Sequence, residues 1–294
     1  MDPSEAPDLT PGQCVALASI IEATAPKPGN VHRGADFADL SYPDFMVSAV
    51  AIQPSFDRAL TLSLGQLVRS SMAATQRLVG TNSNLGMVLL FAPLAKVPRE
   101  QPLTTGVQTV LAALTADDAR DVYAAIRLAQ PGGLGRVEKA DLHEMSPQCL
   151  LAAMRLAAGR DLVARQYAEG FPNVLTQVVP WLTFAIHEQQ LSVCDAVVHT
   201  FLQMLSAEPD SLIARKRDIE LACQVSARAA GVLASGQPGD ARYGETLADF
   251  DFWLRCDHHH RNPGTTADLV AAGLFACLRD GIIKPPFRLA NHSQ

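Results

Sequence analysis

The sequence predicts an all-α fold, a single-domain multi-helix bundle whose active site lies in loops between helices. Apolar residues recur at helical spacing along nearly the whole chain, no run alternates as a strand would, and no 20–50-residue period suggests a solenoid. Gln13 to Thr24 carries Val15, Leu17, Ala18 and Ile21 before Pro26-Lys27-Pro28-Gly29 stops it. Phe56 to Val79 reads as one helix, with Leu60, Leu64, Leu67, Val68 and Met72 on one face. Leu85 to Leu94 is apolar throughout, and Asp117 to Ala129 keeps Val122, Ala125, Ile126 and Ala129 in phase. Ser146-Pro147 opens a helix through Ala158, with proline at its first position. Further helices are expected over Asp161–Glu169, Val174–His187, Ser192–Ser206, Ser211–Ser235 and Thr266–Leu278. The Pro/Gly stretches at 26–29, 131–135 and 236–239 are short loops, so one domain is expected over 12–285 between an N-terminal tail (1–11) and a C-terminal tail (286–294).

Of the 294 residues, 48% are hydrophobic and 18% charged, enough to bury a large core. A formal net charge of −6 argues against a nucleic-acid binder, which would carry a basic surplus. Met1 to Pro11 is acidic and does not read as a secretory signal, and no uncharged run reaches the ~18–20 residues of a membrane helix. The six cysteines (14, 149, 194, 223, 256 and 277) form no CxxC pair and are expected as buried thiols in a reducing compartment. A cytoplasmic location is the expectation, with no nucleic-acid or membrane partner; a homodimer is one assembly the reading allows.

Four polar loops stand out between the apolar helices. In the first, Glu22 to Arg33, two prolines hold Lys27 on a stiff turn with His32 and Arg33 behind it. Lysine is scarce, five against nineteen arginines, so this placement suits a phosphate; a helix stop with solvated charges explains it equally. The second, Gly80-Thr81-Asn82-Ser83-Asn84-Leu85-Gly86, offers backbone N–H groups to an anion, or simple capping of the next helix. In the third, Arg160 to Pro172, Arg165 and Glu169 are spaced to pair along a helix. The fourth, Asp257 to Asp268, holds three adjacent histidines whose side chains diverge, and lacks metal-ligand spacing. Its Thr265-x-x-Asp268 resembles a capping box.

Taken in order, the four loops resemble the triphosphoribosyl-dephospho-CoA synthase family. Glu22-Ala-Thr-Ala-Pro26-Lys27-Pro28-Gly29-Asn-Val31 matches its A-T-P-K-P-G-x-V segment, and Asp39, ahead of Phe45 and Ser48-Ala49, falls where the family has an acidic residue. Gly80 to Gly86 resembles G-V-N-T-H-K-G, Ala164 to Pro172 resembles A-R-G-E-A-x-G-F-P, and Pro263 to Leu269 resembles P-G-G-S-A-D-L. This chain departs from the family at Asn84-Leu85, where His-Lys is usual, and at Gln166-Tyr167, where Gly-Glu is usual.

The resemblance implies a transferase that moves the ribose triphosphate of ATP to the 2′-hydroxyl of 3′-dephospho-CoA and releases adenine. It implies Mg²⁺ as cofactor, with Asp39 and Asp268 as its ligands or as activators of the hydroxyl, and His32 as a further base. Lys27 and Arg33 would meet the triphosphate. Gly80, Asn82, Ser83 and Gly86 would cradle phosphate, Arg165 would contact phosphate or fix a carboxylate, and Gly264 and Thr265 would line the nucleotide. Arg255 and Arg261 complete the expected basic pocket inside an acidic shell. Two alternatives stay open: (phospho)ribosyl transfer to another acceptor in pterin-type cofactor assembly, and a non-catalytic nucleotide-binding scaffold.

Overall fold

A computed structural model describes residues 8–129 and 149–290. Among them the chain forms fourteen α-helices, so the fold is all-α. They are α1 (Pro11–Thr24), α2 (Tyr42–Phe56), α3 (Leu64–Leu78), α4 (Leu85–Ala95), α5 (Leu103–Ala112), α6 (Ala116–Ala129) and α7 (Leu150–Ala157). After them come α8 (Leu162–Glu169), a π-helical turn (Val174–Val178) that runs into α9 (Val179–His187), α10 (Val193–Ala207) and α11 (Ser211–Lys216). The last are α12 (Ile219–Ala234), α13 (Ala241–Arg255) and α14 (Gly264–Arg279), with a four-residue extended segment, Cys256–His259, between α13 and α14.

Local chemistry sets most helix starts. Thr10 and Gln13 exchange a reciprocal capping box at α1, and Ser63 and Gln66 do the same at α3. Asp161 caps α8 and Ser192 caps α10. Two helices are apolar all round, as only central helices can be: nearly every residue of α4 and of α14 is buried. Helix α14 packs on α1, α4, α9, α10 and the π turn and forms the axis of the bundle.

Several boundaries differ from the sequence reading. The expected helix Phe56–Val79 is broken over 57–63, and Leu60, assigned to its apolar face, is 60% exposed. The break has a cause: Asp57 leaves the helix to accept the Gly12 N–H at the start of α1 (3.0 Å). Ser211–Ser235 divides into α11 and α12 because Asp218 caps a new start at Leu221 N (2.7 Å). Helices α2, α5 and α13 were not anticipated. Only Cys14, Cys194 and Cys277 are buried, while Cys149, Cys223 and Cys256 are exposed, all six being free thiols. In the expected C-terminal tail, Arg288 and Leu289 carbonyls accept the Val193 and Cys194 N–H groups, tying the chain to the start of α10. The helix start at Ser146-Pro147 and the loop 131–135 lie outside the described residues. No helix is long and apolar enough to cross a membrane among the described residues.

Candidate active site

The starts of α4, α8, α11 and α14 meet beside the end of α1. Ser211 Oγ accepts the Leu162 N–H of α8 (3.2 Å) and donates to Thr265 Oγ1 of α14 (3.1 Å). Asp210 is fully buried between α11 and α14. Its Oδ1 accepts Leu212 N (2.8 Å) and Ile213 N (3.1 Å), and its Oδ2 accepts Thr266 N (2.7 Å) and Thr266 Oγ1 (2.8 Å). Helix α14 is therefore capped by Asp210, 56 positions before Thr266, not by the Thr265–Asp268 box expected from sequence. Arg215 pairs with Asp161, which ties α11 back to the α8 cap.

Asp268 stands at the centre. A methyl group at Gly86 would lie 1.9 Å from Asp268 Oδ2, so glycine there is what lets the Asp268 carboxyl rest against the start of α4. Among the described residues Asp268 receives no hydrogen bond. Burial raises its carboxyl well above the ordinary carboxylate range; the charges of Glu22, Asp210 and Asp161 act in the same direction, and Arg215 opposes them. Glu22 and Asp210 are also raised, in each case by burial first. Four carboxylates, Glu22, Asp161, Asp210 and Asp268, thus face two cations, Lys27 and Arg215.

The structure places the other expected residues as follows. Lys27 is fully buried, its Nζ 2.9 Å from Glu22 Oε1 and also bonded to the Glu22 and Ala25 carbonyls. Its three protons are all used inside the protein, so this arrangement offers no phosphate contact from Lys27. The loop that carries it is pinned from α13: Asp251 Oδ1 accepts the Gly29 N–H (2.7 Å), and Arg255 bonds Asp251 and the Asn30 carbonyl (2.5 Å). Gly29 has φ +72°, and a Cβ there would strike Leu254. Arg255 is accordingly a loop clamp, and Arg261 lies over the Trp253 ring and bonds the Trp253 carbonyl. Arg33 is exposed, with no ion-pair partner among the described residues.

His32 is half-buried and its pKa is lowered, first by burial and then by Arg255. Its Nδ1 accepts the Gly34 N–H (3.2 Å), so the neutral ring carries its proton on Nε2 and presents a donor. Asp39 is 68% exposed and lies 3.5 Å from His259 Nδ1. Its ion-pair partner is thus His259, not a residue shared with Asp268. Among the described residues no three His, Cys, Asp or Glu side chains form a metal-holding group, and this includes His258 to His260.

In the second loop Asn82 Oδ1 caps Leu85 N (3.1 Å), Ser83 Oγ bonds Ser48 Oγ of α2, and Gly80 makes the turn at φ +80°. Asn84 is buried; its Oδ1 accepts Thr75 Oγ1 (3.2 Å) while its Nδ2 has no acceptor. Arg165 pairs with Glu208 (3.0 Å) rather than with Glu169. Gly264 packs on Leu212, and Thr265 is buried on Ser211.

Both departures from the family pattern point into the core. Leu85 is buried, and Gln166 binds Asn173 Oδ1 (2.8 Å). Tyr167 donates to the Leu89 carbonyl (2.6 Å). That carbonyl would ordinarily accept the N–H four residues on, but residue 93 is proline and has none. The tyrosine hydroxyl supplies the missing donor inside α4.

Residues 8–285 match the family described as CitG, ATP:dephospho-CoA triphosphoribosyl transferase. The chain belongs to this family. It is accordingly a member of a family of transferases for which ATP is a substrate. A crystal structure from Archaeoglobus fulgidus, described as a provisionally assigned triphosphoribosyl-dephospho-CoA synthase, shares the fold with a TM-score of 0.62. The two are 24% identical over 80% of this chain and 98% of that one. No curated protein matches the sequence. The charged residues of this site that sequence reasoning left unassigned are Glu22, Asp161, Asp210, Arg215 and Lys216. Asp161 and Asp210 carry the ordinary signature of a helix cap, which hides any second role.

Proposed function

We propose that this transferase moves the ribose triphosphate of ATP to the 2′-hydroxyl of 3′-dephospho-CoA. The bond from C1′ to the adenine nitrogen breaks and a bond from C1′ to the acceptor oxygen forms; the hydroxyl loses its proton and adenine gains one. The observation that carries the reading is Asp268, a carboxylate that receives no hydrogen bond among the described residues where four helix starts meet.

An excess of carboxylate over cation suits a divalent ion that arrives with the nucleotide. Mg²⁺ ordinarily takes one or two carboxylates together with substrate phosphates, not an all-protein cage. Asp268 is the residue here that fits, with Glu22 near it, and the ion would supply charge neutralisation of the triphosphate. Charge develops at the anomeric carbon of such a transfer, and a nearby carboxylate stabilises it. The first turn of α4 presents N–H groups and the positive end of a helix dipole to phosphate. Arg33 and Lys216, which lies in the field of Asp39 and Asp210, are the cations placed to approach the triphosphate. His32 Nε2–H donates to the substrate, Asp39 acts at the exposed rim, and Lys27 holds the charge of Glu22.

Incubation with ATP, Mg²⁺ and dephospho-CoA tests the reading. Adenine release that requires the acceptor is expected; folded protein that releases none with this pair contradicts it.

A further inference from the structure

Asp210 has no place among the residues expected to touch substrate, yet it is the most fully used carboxylate of the site. It is buried and accepts four hydrogen bonds, two from α11 and two from Thr266 of α14. Thr266 is itself buried and lies two residues before Asp268. The same carboxylate therefore fixes the start of α14, the helix that carries Asp268, and the start of α11, the helix whose last turn carries Arg215 and Lys216.

The fold contains a second carboxylate of the same kind, between α3 and α6. Asp118 is buried at the start of α6; its Oδ1 accepts Gly65 N of α3 (2.8 Å), and its Oδ2 accepts the Thr115 N–H (2.9 Å) and hydroxyl (2.8 Å). Both aspartates link two helices. Only Asp210 links helices that carry charged residues of the site.

We infer that Asp210 is a positioning residue, which holds Asp268 against the start of α4 by fixing the Thr266 turn. The fit at Gly86 leaves no slack, since added atoms there would overlap Asp268 Oδ2. A small rotation of the α14 start moves the carboxylate out of that contact, and displacements of about 1 Å can cost ~10²-fold in rate. In Asp210→Asn one oxygen becomes an NH₂ group, which cannot accept from both Thr266 donors.

For its activity arm the inference rests on the transferase reading above; a second arm needs no substrate. Asp210→Asn, Thr266→Ala, Thr266→Ser and Asp118→Asn are compared with the wild type in the full-length protein. Hydrogen exchange is read at 264–268 and 85–88. Asp210→Asn and Thr266→Ala are expected to speed exchange there, whereas Asp118→Asn speeds it only around 63–67. In adenine release, kcat per folded molecule is expected to fall at least tenfold in Asp210→Asn, with KM for ATP within threefold. Thr266→Ala falls less, Thr266→Ser keeps activity, and Asp118→Asn keeps kcat while losing thermal stability. Unchanged exchange at 264–268 overturns the inference, as does faster exchange with unchanged kcat. A wild type that releases no adenine overturns the transferase reading instead, and the exchange arm then decides the placement.

Discussion

The two ends of α14 handle charge in opposite ways. At its far end Arg279 is buried but satisfied: it bonds the Val97 (3.2 Å), Pro98 (2.5 Å) and Gln101 (3.1 Å) carbonyls and pairs with Asp280. At its near end Asp268 meets the charges of Glu22, Asp210 and Asp161, which Arg215 opposes, and among the described residues it receives no hydrogen bond. A satisfied buried ion locks a loop; an unsatisfied one costs stability and persists where it serves a ligand. One helix thus has a structural end and a chemical end.

Substitutions at the two ends should separate these roles. The largest effect is expected for Asp268→Asn, with a loss of ~10²–10⁴ in adenine release, the range for a group that acts on the reacting atoms. The same change should stabilise the free protein. The folded carboxyl titrates well above the unfolded one, so as pH rises the unfolded chain ionises first and the native state loses relative stability. Asparagine never ionises. Its melting temperature should match wild type at a pH below the ordinary carboxylate range and exceed it increasingly as pH rises. Gly86→Ala comes next: it forces Asp268 away and should reduce release ~10²-fold.

At the far end, Arg279→Ala leaves three carbonyls without their donor and should cost about 2–4 kcal/mol in denaturant unfolding. The activity of molecules that remain folded should not change. The smallest effect is expected for Tyr167→Phe, about 1–3 kcal/mol, because it leaves the Leu89 carbonyl without a donor above Pro93. A large loss of turnover in folded Tyr167→Phe would place the third loop's departure in the site and blur the contrast.

The all-α class was legible because 3.6-residue periodicity survives in α3 and α6, and because the apolar runs of α1 and α4 do not alternate as strands would. Helix α13 was not, because its charged and aromatic residues follow no single face and its packing is decided by Leu254 and Gly29 from elsewhere. The break at 57–63 follows from Asp57 bonding Gly12, a contact across 45 positions that local pattern cannot carry. In the site, Gly86 and Asp268 were named from sequence, and the structure adds that they touch. Lys27 was expected on a stiff turn to meet a phosphate; its burial depends on Glu22, one turn back in α1. The pairing of Arg165 with Glu208 and the capping of α14 by Asp210 are likewise long-range.

The most direct measurement of the division along α14 is single-turnover adenine release by wild type, Asp268→Asn and Arg279→Lys at matched folded concentration, with ATP, Mg²⁺ and dephospho-CoA. The account predicts that Asp268→Asn loses at least a hundredfold while Arg279→Lys stays within about twofold of wild type. Equal losses in the two variants, or full activity in Asp268→Asn, would contradict it.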